Sequence, residues 1–518
     1  MELTYYTSGG SGDAGDQYTG LDRFGRVVDQ RWDLDGVDLE RLKYGYDPVN
    51  NQVWRQNTVA EWLSANQDQY YTQDGLYQLK TLQRGTLNAN QTGISGTPSW
   101  EEDWNYDPLG NWNGSTSAYQ TRVAGTTTLN QNQTHSTVNE ITNITEITGP
   151  VWPTPGYDAA GNMTGGPQPL SPANGYILIY DAWNRLVRLQ SGNVVVAAYA
   201  YDGASRRVTK TIGNTLRHYY YDDQWRVVEE RLNPATTADR RLVWGIRRLD
   251  DLILRDRASA ARLYALDDKI NVTAVVDVNG TVQERYGYNG FGGVNYMNTN
   301  FGSIPVSAFD WETLFDSYRY DTESGLYQVR YRYLHPLLGR WITRDPINEL
   351  GFQVLQPPTG MPQVGTAALI SAKLKLPRKK TPSIKVDINL YAFVYNSPVR
   401  LIDDDGLGIK NYPQYGNYCG GGYCGGKVLK PHEKCDFSVP ASNPMDSCCK
   451  AHDQCYDKAY GDETKVHKCD QTLCSCLKDI DVSDFVDNPP YTQPPGDSEW
   501  MYDQLVGFAC AMRHGGPI

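Results

Sequence analysis

No cysteine occurs in the first 418 of the 518 residues. That part of the chain has no disulfides and must hold together by packing and hydrogen bonding. Basic charge is also short: 48 Lys and Arg stand against 60 Asp and Glu, a net charge of -12. This balance argues against a general nucleic-acid binder, so no nucleic-acid partner is expected. No unbroken apolar run is long enough to cross a bilayer as a helix. Met1 to Thr4 bring neither a basic region nor an apolar segment, so no secretory signal is visible. Export then calls for a dedicated machine, or the chain is a piece of a longer protein. What is plentiful is Tyr (37), Gly (49) and Trp (13), a composition that favours strands and turns over helix. The length allows a large core and more than one domain.

A loose repeat fills the Cys-free part. Tyr-Asp is followed by a turn and then by an alternating strand, at Tyr46-Asp47, Tyr106-Asp107, Tyr157-Asp158, Tyr180-Asp181, Tyr201-Asp202 and Tyr221-Asp222. Asp158, Asp181, Asp202 and Asp222 lie 23, 21 and 20 residues apart. A period near twenty that ends each strand in an Asp/Gly/Asn turn predicts stacked β-hairpins. Pairs such as Tyr199 and Tyr201, or Tyr219 and Tyr221, fall on one face of a strand. The set resembles the YD or RHS repeats of polymorphic toxins and teneurin-like proteins, which implies a large hollow β shell. The Thr/Asn/Gln-rich stretch from Thr116 to Thr148 departs from the period and reads as a long decorated loop or a partly disordered segment. His135, His218 and His335 carry no motif and read as structural.

Asp321 to Pro346, DTESGLYQVRYRYLHPLLGRWITRDP, closely resembles the RHS core signature. Asn389 to Pro398, NLYAFVYNSP, is similar to the family segment that follows it, with Phe393 in place of the second Tyr. In that family this region is an aspartyl autoprotease, cutting after the Leu of P-x-x-x-x-D-P-x-G-L. The matching residues here are Pro398 to Leu407, PVRLIDDDGL. The resemblance implies Asp345 and Asp403 as the acid pair and Leu407–Gly408 as the cut bond. Two carboxylates that share a proton can activate water and protonate the leaving group. Asp404 stands where the motif has Pro, and about forty residues, Asn348 to Asp387, intervene where the family has a few. Their Pro and Lys content reads as loop or linker.

All ten cysteines fall between Cys419 and Cys510. An even count so closely packed predicts disulfides, and no paired C-x-x-C at finger spacing supports zinc. Cys448 to Tyr456, CCKAHDQCY, reads as a helix that places Cys448 with His452 on one face and Cys449 with Asp453 on the next. The pattern resembles the catalytic helix of secreted phospholipase A2. Tyr415 to Gly422, YGNYCGGG, resembles that family's calcium loop, and Cys469 to Leu477, CDQTLCSCL, its second catalytic helix. The resemblance implies Ca2+ held by the carbonyls of Tyr418, Gly420 and Gly422 and the carboxylate of Asp453. It implies His452 as general base, Asp470 as its partner, the Gly420 amide as oxyanion donor and Tyr456 bonding Asp470. It also implies the pairs Cys455–Cys469, Cys448–Cys476 and Cys419–Cys449. Cys424, Cys435, Cys474 and Cys510 are left, with Cys424–Cys435 and Cys474–Cys510 as the guess for their pairing.

The expected fold is mainly β. An RHS/YD-repeat β shell of stacked hairpins covers 1–345, and the end of the core with its autoprotease covers 346–407. A small disulfide-rich, α-helical phospholipase A2-like effector covers 408–518. The implied activity is calcium-dependent hydrolysis of the sn-2 ester of membrane phospholipids by a secreted or delivered toxin, caged by the shell. An immunity protein and an export machine are the further partners implied. The competing reading is an extracellular RHS-repeat binding or adhesion protein with a non-catalytic tail.

Overall fold

The computed structural model describes residues 2–5, 20–22, 26–114, 116–257, 262–346, 389–403, 406, 423–424, 427–428 and 451. The chain divides into two compact units. The first holds Met1–Asp47, Asn51–Asp345 and Asn389–Ile409; the second holds Pro48–Asn50, Pro346–Ile388 and Lys410–Ile518. In the second unit a short antiparallel hairpin pairs Tyr423–Cys424 with Lys427–Val428. Apart from that hairpin and Ala451, the α-helical, disulfide-rich domain expected over 408–518 lies outside the described residues.

The first unit is built of strands. A 10-stranded sheet runs from Glu2–Tyr5 to Ile141–Thr148, and a 15-stranded sheet from Gly156–Tyr157 to Ser303–Ile304. A 4-stranded sheet follows: Arg319–Asp321, Leu326–Val329, Arg332–His335 and Arg340–Trp341. In each sheet the spatial order of strands is the order of the chain, and neighbours are antiparallel. Among the described residues Thr58–Trp62 is an α-helix, and no helix is long and apolar enough to cross a membrane.

The Tyr-Asp repeat has a direct mechanical meaning. Asp181 Oδ1 accepts from the amides of Trp183 at 2.9 Å and Arg185 at 3.0 Å, and Oδ2 accepts from Arg185 Nε at 2.8 Å. The same set recurs at Asp202 with Arg206 and at Asp222 with Arg226. At Asp107 and Asp158 the amide side chains of Asn111 and Asn162 replace the guanidinium. The third residue after each Asp is left-handed: Asn184 at φ 60°, Ser205 at 66°, Trp225 at 67° and Gly161 at 84°. Left-handed backbone costs a non-glycine residue about 1–2 kcal/mol, and the carboxylate's hydrogen bonds offset that cost. The Tyr before each Asp ties one hairpin to the one before it. Tyr180 donates to the Met163 carbonyl at 2.9 Å, Tyr201 to Leu186 at 2.7 Å and Tyr221 to Arg207 at 2.8 Å. Trp244 takes the Tyr position one hairpin on, and its Nε1 donates to Val227 at 2.7 Å.

The Thr116 to Thr148 stretch is a correction. It is neither a loop nor disordered but three strands: Tyr119–Val123, Thr126–His135 and Ile141–Thr148. Thr is β-branched and packs well on a pleated surface, and Leu129, Ile141 and Ile144 are buried. The turn device is present in altered form. Ser136 stands in the place of Asp, its Oγ accepting from the amides of Val138 and Glu140, with Asn139 left-handed. Polar composition hid a strand pattern.

Aromatic contacts join the two large sheets: Phe291 lies 5.4 Å from Trp104 and 5.2 Å from Trp112, centroid to centroid. Buried ion pairs do the same, Arg285 with Glu40 and Arg55 with Asp268. A larger buried network joins the 15-stranded sheet to the small one. Arg207 grips Asp321 through both nitrogens at 2.5 and 2.9 Å, and Lys210 reaches Asp321 at 3.2 Å and Glu323 at 3.1 Å. Glu230 accepts from Arg319 at 2.6 Å, Arg217 at 2.9 Å and Arg240 at 3.3 Å. Burial pushes the Glu230 carboxyl up, but Arg319 and Arg240 outweigh it and hold it down to about 2. A carboxyl held below its unfolded value stabilises the fold above that value and loses the contribution as pH falls through the folded one. Urea midpoints should therefore show Glu230→Gln as destabilised at pH 7, with the gap to the unmodified chain closing as pH falls from about 4.5 towards 2. A gap that is the same at both ends would refute this account of the network.

Candidate active site

Three chain segments meet at Arg332. The residue opens the third strand of the small sheet, Arg332–His335. Asp345 follows the last strand, its amide donating to the Leu390 carbonyl at 3.1 Å. Asp403 lies beyond the short 3-10 turn Val394–Asn396. One nitrogen of Arg332, Nη2, is 2.9 Å from Asp403 Oδ2 and 3.1 Å from Asp345 Oδ2. The two carboxylates, 58 positions apart in the sequence, thus share one cation. Arg332 and Asp403 are buried, and the guanidinium stacks 4.2 Å over the Trp341 ring.

The backbone leading to Leu407 is held by the same groups. Arg332 Nε donates to the Gly406 carbonyl, and the Gly406 amide donates to Asp403 Oδ1 at 2.9 Å. Gly406 is left-handed at φ 73°, and a Cβ there would sit 2.7 Å from the Val329 carbonyl oxygen. Only glycine meets both conditions. Tyr318 clamps the other side: its hydroxyl donates to the Asp403 carbonyl at 2.7 Å and accepts from the Asp403 amide at 3.1 Å. This geometry holds two carboxylates on one cation, and holds that cation and Asp403 against the backbone of Gly406, the residue before Leu407. Carboxylates so placed can move protons to and from reacting groups.

Of the expected site residues, Asp345 and Asp403 are brought together. Leu407 lies outside the described residues, as do His452, Asp470, Gly420, Tyr456, Tyr418, Gly422 and Asp453. The cysteines Cys419, Cys448, Cys449, Cys455, Cys469 and Cys476 also lie outside them. Among the described residues no group of three or more His, Cys, Asp or Glu could hold a metal ion. Arg332 and Tyr318 are neighbours of this pair that sequence reasoning did not single out. Arg332 stands inside the quoted core signature, but its partners come from distant segments. His335 is structural as expected: Nε2 bonds the Pro167 carbonyl at 2.9 Å, Nδ1 accepts from the Leu338 amide at 3.2 Å, and burial lowers its pKa to about 4.

No protein-family model matches the chain. It is 24% identical over 421 residues to the toxin subunit YenC2 of Yersinia entomophaga, covering 71% of this chain and 37% of that protein. It is 26% identical over 195 residues to the tRNA3(Ser)-specific nuclease WapA of Bacillus spizizenii, covering 37% of this chain and 8% of WapA. In structure it resembles a chain of the Tc holotoxin pore of Photorhabdus luminescens, with a TM-score of 0.50, 19% identity, and 76% of this chain and 18% of that chain covered. The TcdB2-TccC3 crystal structure matches with a TM-score of 0.50, 21% identity, and 74% and 18% coverage.

The chain is similar to toxin components.

The structural likeness, at this identity, shows the mainly β fold of a β-shell neighbour. The chain spans well under half the length of the curated relatives described. Two expectations are corrected by them. The WapA proteins, from Bacillus spizizenii and from Bacillus subtilis, are tRNA nucleases. The expected enzyme class, phospholipase A2, is overturned by relatives with a different activity. The expected partners, a phospholipid and no nucleic acid, are overturned because those relatives act on tRNA.

Arg332→Met leaves two carboxylates facing each other in a buried site. It should cost about 3–5 kcal/mol of unfolding free energy. Arg332→Met combined with Asp403→Asn should recover part of that loss, because the two sites share one interaction. Strictly additive urea-unfolding energies in the double-mutant cycle would contradict the shared-cation geometry.

Proposed function

We propose that this chain is an RHS-type toxin carrier that cuts itself between Leu407 and Gly408, with Asp345 and Asp403 as the acid pair. One observation carries the reading: Arg332 reaches both carboxylates and also the Gly406 carbonyl. The likeness to the toxin subunit YenC2 supports the carrier role. In the reaction, one carboxylate takes a proton from water as the water oxygen bonds to the Leu407 carbonyl carbon. The other gives a proton to the Gly408 nitrogen as the C–N bond breaks. The products are a carboxylate on Leu407 and an amine on Gly408. Arg332 orients the pair and fixes the backbone that presents the bond. In this reading the released segment, 408–518, is the toxic part.

Intact-mass measurement of the purified full chain should give two species that meet at Leu407, with N-terminal sequencing of the smaller one starting at Gly408. Asp345→Asn and Asp403→Asn should each give one uncut species. A single uncut species from the unmodified chain would overturn the proposal.

A further inference from the structure

Two stretches of chain that lead to Asp403 and its neighbours keep a backbone that L residues resist. Asp316 and Ser317, in the 3-10 turn Phe315–Ser317, are left-handed at φ 50° and 58°. Val394, Tyr395 and Asn396, in the turn before Asp403, are left-handed at 40°, 51° and 58°. Runs of left-handed non-glycine residues are disfavoured, persist where the surroundings hold them, and cluster at functional sites. Both turns are held from outside. The Asp316 amide donates to Asn271 Oδ1 at 2.9 Å, and Ser317 Oγ to the Ile270 carbonyl at 2.7 Å. Asn396 Nδ2 donates to the Gly110 carbonyl at 2.7 Å, and Ser397 Oγ to the Tyr77 carbonyl at 2.6 Å.

The first of these turns delivers Tyr318. Its buried ring packs against Tyr327 and Phe393, with centroids 6.4 and 6.3 Å away. Its hydroxyl takes both backbone groups of one residue, donating to the Asp403 carbonyl at 2.7 Å and accepting from the Asp403 amide at 3.1 Å. The hydroxyls of Tyr106, Tyr180 and Tyr221 differ, each donating to one carbonyl along the repeat. The Gly406 amide and Arg332 Nη2 hold the two oxygens of the Asp403 carboxylate, each at 2.9 Å. Those two bonds act on the side chain. The Tyr318 hydroxyl fixes the peptide groups on either side of it.

We propose that Tyr318 is a positioning residue for self-cleavage, its hydroxyl holding the backbone of Asp403 so that the carboxylate stays paired with Asp345 on Arg332. This role rests on the self-cleavage reading. Tyr318 exchanges no proton with the reacting groups; it keeps the pair together.

The test follows self-cleavage of the full chain over time by intact mass, after cell-free synthesis and well below the Tm of every variant. Tyr318→Phe keeps the ring and removes the hydroxyl, and should slow the cut about tenfold or more. Tyr106→Phe, which removes a hydroxyl bonded to the Leu79 carbonyl in the 10-stranded sheet, should be cut at the unmodified rate. The pH profile separates positioning from mere support. Among the described residues, Arg332, Asp345 and Tyr318 are the charged and titratable groups that face Asp403. Two coupled carboxylates titrate with apparent pKa values that move together as the groups separate. A cut that needs one of them protonated and the other ionised is fastest between those values. Tyr318→Phe should therefore narrow the profile, whereas a merely stabilising hydroxyl would lower the rate by one factor at every pH. An unchanged rate, or a slower cut with a profile of unchanged width, would overturn the role while leaving the self-cleavage reading intact. An unmodified chain that stays whole overturns that reading and this role with it. Should Tyr318→Phe not fold, Ser317→Gly decides: glycine suits the left-handed position but frees the turn from Ile270, so the cut should slow there too, and an unmodified rate would refute the role.

Discussion

One carboxylate closing one turn underlies most of this structure. A meander in which each strand pairs with the next needs a tight reversal at both ends of every strand. Reversal requires left-handed backbone, which is disfavoured for L residues. The repeat Asp answers this locally by accepting two backbone amides and one side chain, as Asp181 does from Trp183 and Arg185. Asn, Ser or even Trp can then occupy the left-handed position, as Asn184, Ser205 and Trp225 do. Glycine is therefore not obligatory at the turn, and the repeat is loose in sequence while regular in geometry.

The Tyr beside that Asp solves a second problem. A hairpin closed on itself has no reason to stay in register with the next except its ladder. The hydroxyls of Tyr180, Tyr201 and Tyr221 add one fixed bond from each turn to the strand behind it. Where the sheets meet, short-range devices end and charge takes over. Arg207 with Asp321, Arg285 with Glu40 and Arg55 with Asp268 are all buried and distant in sequence. Such pairs tolerate loss of a partner poorly, so they select one arrangement of the sheets. Arg332 extends the same logic to the Asp345 and Asp403 pair, and there the arrangement also fixes the backbone at Gly406.

Much of the fold was legible because the repeat is local. Tyr-Asp followed by a turn residue within five positions is a complete instruction for one hairpin. The Thr116 to Thr148 stretch escaped for the same reason: its turn uses Ser136 in place of Asp, and its strand Thr126–His135 buries Gln131 and Gln133. Composition was a poor guide where pattern was a good one. Asp345 and Asp403 were legible through resemblance, yet their shared cation was not. Arg332 sits in a strand rich in Arg and Tyr, and nothing in the order of residues separates it from Arg330. Arg330 pairs instead with Asp250. The activity expected for the C-terminal segment was a reading of motifs, whereas the WapA relatives of the chain are tRNA nucleases.

The sequence by itself determined the hairpins, their period and the residues that close each turn, because these depend on contacts within a few positions along the chain. It also placed two aspartates as a candidate pair. Tertiary structure alone decided which cation joins them and why position 406 must be glycine. The physical reason is separation. A turn is settled by neighbours in the chain, whereas a buried charge is settled by whatever the folded sheets bring to it.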